Sequence, residues 1–144
     1  MASERNVDIF AALIFILSLI AIILLAALDF AAFSLNGSGT RWTCLTCEYA
    51  TAGDLIAQIF ILILLLLQIV IALNDLVPNK FIDKELDRYG IILALFTIIF
   101  VIIGIGSFGI AYSEYEWWPE TGFYGAIIAG LLNTILFFLK YKNR

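Results

Sequence analysis

Long uncharged apolar stretches alternate along the chain with short polar segments. Four stretches contain no Asp, Glu, Lys or Arg: Ile9–Leu28, Leu55–Leu73, Gly90–Tyr112 and Thr121–Leu139. A helix of roughly 20 residues spans the ~30 Å hydrocarbon core of a bilayer, and each stretch has about that length. In hydrocarbon every backbone N–H and C=O needs an internal partner, so the stretches predict helices rather than open strands. Together they fill more than half of a 144-residue chain, too little protein to bury them all as core helices. The pattern therefore predicts an all-α membrane protein. It is a left-handed four-transmembrane-helix bundle forming one domain over residues 1–144. The helices are expected near 9–28, 54–73, 89–112 and 122–140, with loops 29–53 and 113–121 on one side of the membrane. Met1–Asp8 carries Glu4, Arg5 and Asp8 and no small-x-small site follows, so the first helix is expected to remain as a signal-anchor.

Charge sets the orientation. Arg5, Lys80, Lys84, Arg88, Lys140, Lys142 and Arg144 fall on the side of the termini and the middle loop, against Arg41 alone on the other. The positive-inside rule then places both termini in the cytoplasm. The opposite side carries Asp29, Glu48, Asp54, Glu114, Glu116 and Glu120. Such a surface attracts cations and basic partners, though exposed loops are commonly charged.

The spans hold few polar residues (Ser18, Gln58, Gln68, Thr97, Ser107, Asn133 and Thr134), and none is charged. Pumps and carriers usually place ionisable groups there, so the pattern argues against one, and the amides are expected to bond between helices. Gly104-Ile-Gly-Ser-Phe-Gly109 matches a dinucleotide-binding pattern but follows no strand. Gly104, Gly106 and Gly109 in the third helix, and Gly125, Ala126, Ala129 and Gly130 in the fourth, read instead as packing seams, within the bundle or between copies.

The polar loop Asn36–Cys47 holds both cysteines, the only N-x-[ST] sequon, at Asn36, and Trp42. Cys44-Leu-Thr-Cys47 reads as a structural disulfide, as a redox pair or as free or acylated thiols. Zinc is not expected, because the chain has no His and two cysteines do not complete a tetrahedral site. The second loop holds Tyr115-Glu-Trp-Trp-Pro-Glu120. Trp117 and Trp118 fit an interfacial aromatic belt, and with Glu114, Glu116 and Glu120 they also fit a partner-binding strip.

Four helices, both termini inside, and a first loop with Trp then Cys then Cys resemble the superfamily of claudins, peripheral myelin proteins and epithelial membrane proteins. The resemblance maps onto Trp42, Cys44 and Cys47, onto the sequon at Asn36, onto the aromatic segment Tyr115–Gly125 and onto the basic tail Lys140–Arg144. It implies a Cys44–Cys47 disulfide, a glycan at Asn36 and an extracellular sheet. The first loop is about half the family's length, so the sheet is expected only in reduced form, and paracellular pore formation is not expected. The implied function is non-enzymatic. It is contact with a membrane-protein partner, or self-association, through Trp42, Tyr115, Trp117, Trp118, Glu114, Glu116 and Glu120, in cell–cell adhesion at a junction, membrane organisation or as an accessory subunit of a channel or receptor complex. The bilayer is the other expected partner. No cofactor, metal, nucleic acid or small-molecule substrate is expected, and the plasma membrane is the expected location. The alternative is a thiol–disulfide oxidoreductase: Cys44-Leu-Thr-Cys47 before the second helix resembles the DsbB type, although the second loop carries no cysteine pair.

Overall fold

Each apolar stretch closes its own backbone hydrogen bonds as a helix. A computed structural model of the protein describes residues 9–34, 39–44, 51–76 and 86–142. The helices are α1 (Ile9–Ala27), α2 (Ala52–Leu76), α3 (Asp87–Ala111) and α4 (Thr121–Lys142). All four are long and apolar enough to cross a membrane, and the protein is a multi-pass integral membrane protein. Large apolar side chains cover the bundle's outside, among them Ile110 at 80% exposure. This is what a hydrocarbon solvent permits.

The helices run alternately up and down, and each packs on its neighbours in the order α1, α2, α3, α4 and back to α1. The buried residues step by three and four. The series is Ala11, Ile14, Ser18, Ala21, Leu25 in α1 and Asp54, Gln58, Ile61, Leu65, Gln68, Ala72 in α2. In α3 it is Gly90, Ala94, Thr97, Val101, Gly104, Phe108. A seven-residue repeat of this kind belongs to left-handed bundles. Small residues hold the helices close. A Cβ on Gly125 would lie 2.8 Å from Leu24, one on Gly130 2.9 Å from Ile98, and one on Gly104 3.0 Å from Ala57, while Ala129 is buried. Gly106 departs from its expected role inside the bundle: no described residue lies within 4 Å of its would-be Cβ. Three glycines outside the expected seams are as crowded: Gly53 against Ser107, Gly90 against Phe137 and Gly122 against the Asp29 carbonyl.

One polar side chain from each helix meets at mid-bundle. Asn133 Nδ2 donates to Ser18 Oγ and to Gln68 Oε1, both at 2.8 Å, and Gln68 Nε2 donates to Thr97 Oγ1 at 2.8 Å. Two backbone carbonyls fix the direction of this chain. Thr97 donates to Leu93 O and Gln68 Nε2 also to Leu64 O, so Gln68 Oε1 must face Asn133 as an acceptor. The layer separates an apolar cluster around Leu25, Phe30, Leu65 and Phe108 from a second around Ile14, Ala72, Ala94 and Phe137.

The expectation that the bundle buries no charge is corrected at both ends of α2. This helix runs further than expected at each end. Its last turn carries Asp75 into contact with Lys140 of α4, Nζ to Oδ2 2.9 Å, with both side chains under 5% exposed. Its first turn buries Asp54 completely.

The chain is also not helical throughout. Three short strands, β1 (Ala31–Ser34), β2 (Thr40–Thr43) and β3 (Glu116–Pro119), form an antiparallel sheet in the order β2-β1-β3 across the ends of the helices. It unites the loop after α1 with the loop after α3.

Candidate partner-binding surface

The sheet is seated by aromatic packing beneath it. Phe33 in β1 stacks on Tyr112 with ring centroids 3.9 Å apart and also meets Phe108 and Tyr115. Trp117, in register with Phe33, shares that face and lies over Gly109, where a Cβ would come within 2.4 Å of the indole. The backbone extends the seat. Glu120 N–H donates to Phe30 O at 2.9 Å and Gly122 N–H to Asp29 O at 2.8 Å, which carries the ladder into the start of α4.

Polar contacts hold the other side. Thr51 and Asp54 form a capping box at the start of α2: Asp54 Oδ1 accepts from Thr51 N at 2.7 Å, and Thr51 Oγ1 accepts from Asp54 N at 3.3 Å. The Thr51 hydroxyl also bonds Asp54 Oδ1. Asp54 Oδ2 accepts from Thr43 Oγ1 of β2 at 2.6 Å and from Gln58 Nε2 at 3.1 Å. Asp54 is thus no part of the expected acidic surface; it is the peg that ties β2 to α2. The signal was present as Thr51-x-x-Asp54 ahead of an apolar run.

Residues paired across a sheet share a face, so Trp42 and Trp118 flank Ala32 on the face turned away from the helices. Trp42 is 44% exposed, and half-buried Trp118 donates from Nε1 to Glu120 Oε1 at 2.7 Å. Glu114 and Glu116 are exposed and Tyr115 is half-buried. The sheet therefore brings Trp42 from one loop together with Trp117, Trp118 and Glu116 from the other. Arg41 pairs in register with Phe33. Asp29 lies near Glu120; its burial, and then the like charge of Glu120, hold its carboxyl above the ordinary 3.8. Cys44 directly follows β2, is half-buried and is not a free thiol. Cys47 and Asn36 lie outside the described residues. Among the described residues no group of His, Cys, Asp and Glu is arranged to hold a metal ion.

The arrangement offers recognition chemistry: exposed indoles, carboxylates and strand edges that no described residue pairs, on a seated platform. Comparison of the chain with protein families, with curated proteins and with solved structures finds no match.

Proposed function

We propose that the protein is a claudin-like tetraspan membrane protein that acts by binding a partner membrane protein through its sheet-bearing end. The observation that carries this reading is the sheet itself. Two loops far apart in sequence are joined by β1 into one platform that displays Trp42, Trp118 and Glu116. A reduced outer sheet is what the resemblance implies for so short a first loop. In this reading the sheet faces the cell exterior at the plasma membrane. Arg88, Lys140 and Lys142 at the opposite end favour that orientation. In the same reading Cys44 pairs with Cys47, and Asn36 carries a glycan. Cell–cell adhesion and service as an accessory subunit both use this surface.

The test is affinity purification of the full chain from native membranes in mild detergent. A stoichiometric membrane-protein partner, lost with Trp42→Ala and with Cys44→Ser/Cys47→Ser, is the expected result. Purified protein that oxidises a thiol substrate and passes the electrons to quinone overturns the reading in favour of the oxidoreductase.

A further inference from the structure

β3 forms one edge of the sheet, and the phase of its ladder shows which backbone groups stay open. Glu120 N–H donates to Phe30 O at 2.9 Å, which turns the Phe30 carbonyl toward β3, while the Phe30 N–H goes to Thr43 O of β2 instead. With the register of the two strands, the Glu120–Phe30 bond puts Ala32/Trp118 and Ser34/Glu116 in the bonded phase of the ladder and Ala31/Pro119 and Phe33/Trp117 between them. The N–H and C=O of Trp117 and the C=O of Pro119 consequently point away from β1. Pro119 occupies a position where the ladder needs no donor, the place an edge strand tolerates proline, and it limits how far added pairing can run.

The side chains along this edge are acidic and aromatic. Glu116 and Trp118 stand on the face away from the helices, while Trp117 is pinned on Gly109 below. Glu114 is exposed beside them, and the carboxylates of Glu120 and Asp29 are close enough to repel. The loop 113–121 contains no Lys or Arg. Arg41, the single basic residue of the two loops, sits on β2 with β1 between it and β3. Among the described residues the edge thus combines backbone groups that the ladder leaves unpaired with a run of negative charge.

We propose that the open edge of β3 receives a short, basic, extended segment of the partner protein as a fourth strand of the sheet. This assignment rests on the partner-binding reading above and names the partner's chemistry. Backbone bonds at Trp117 supply the attachment, and the flanking side chains supply the choice. Cross-strand neighbours lie about 4.5–5.5 Å apart, so a Lys or Arg opposite Glu116 forms an ion pair, and one beside Trp118 lies over the indole face.

The experiment uses the full chain in phosphatidylcholine nanodiscs and a fluorescent alternating lysine–valine heptapeptide, with empty nanodiscs as the background. The lysine peptide should bind while its glutamate–valine counterpart does not. Glu116→Lys should weaken binding about tenfold or more, because an attraction becomes a like-charge contact. Methylating the peptide nitrogens that face Trp117 should weaken it by at least as much. Equal binding of the methylated peptide, of the glutamate peptide or to Glu116→Lys overturns the assignment, as does native mass spectrometry showing a second copy seated on the edge. The two readings fail separately. A native partner kept by Glu116→Lys but lost from Trp42→Ala overturns the edge assignment alone. A wild type that binds the peptide but retains no native partner overturns the partner-binding reading.

Discussion

Asn133→Leu removes the node of the mid-bundle polar layer with little change of shape. The wild-type amide donates to Ser18 and Gln68, both at 2.8 Å, and its own Oδ1 is buried without a partner among the described residues. The leucine forfeits both bonds and strands Gln68 Oε1, but it also removes the stranded Asn133 Oδ1. A stranded buried amide oxygen costs about 1–3 kcal/mol in either case, so these terms largely offset. What remains is two interhelical bonds at about 0.6 kcal/mol each, or about 1.2 kcal/mol in all. Gln68→Leu likewise loses two interhelical bonds, to Asn133 and to Thr97. The Gln68–Asn133 bond is common to both variants, so the double variant should cost about 0.6 kcal/mol less than the singles combined. Reversible unfolding in mixed micelles at increasing sodium dodecyl sulfate fraction measures all three. Strict additivity, or a double variant worse than additive, refutes the bridge between α2 and α4.

Other perturbations read other parts of the protein. Lys140→Met leaves the Asp75 carboxylate buried without its cation and should cost about 3–5 kcal/mol in the same assay, with Lys140→Met/Asp75→Leu recovering most of the loss. Gly109→Ala places a methyl 2.4 Å from Trp117 and should destabilise by about 1–3 kcal/mol, whereas Gly106→Ala, with no described residue within 4 Å, should be neutral or stabilise by up to about 1 kcal/mol. Thr43→Val removes the 2.6 Å bond to Asp54 and should speed hydrogen exchange in β1 and β2 while leaving mid-helix amides protected. The raised carboxyl of Asp29 favours the folded protein when protonated. Its contribution is complete below the ordinary 3.8 and is lost as pH rises through the higher folded value, so Asp29→Asn should flatten that part of the stability–pH profile.

The helices were legible because apolar runs of membrane-spanning length are a one-dimensional signal. Even their ends carried marks: Pro78 just beyond α2 restricts the residue before it, and Thr51-x-x-Asp54 announces its start. The sheet was legible only through the resemblance, which implies a reduced outer sheet, and not from its own residues. Ala31-Ala-Phe-Ser34 has weak strand propensity and no alternating pattern, and it is a strand only because two remote segments pair with it. Trp42, Trp117 and Trp118 stood out by type, but that Trp42 and Trp118 share a face while Trp117 turns inward is a fact of register. Asp75 and Lys140 read as inner-loop and tail charges until the lengths of α2 and α4 brought them together. Gly53, Gly90 and Gly122 carry no local signature, since what crowds each comes from elsewhere in the chain.

The polar bridges also decide how the bundle can move. α2 and α4 are diagonal rather than adjacent, and they run in the same direction. Gln68–Asn133 and Asp75–Lys140 join them at two levels, seven residues apart on each helix. Two rungs at equal spacing between parallel rails act as cross-bracing: sliding one rail along the other breaks both at once. Shear between these helices is therefore the stiff mode of the fold. A load applied to β3 enters at the head of α4 and is shared with α2 by the braces. The braces oppose a piston stroke of α4 against α2.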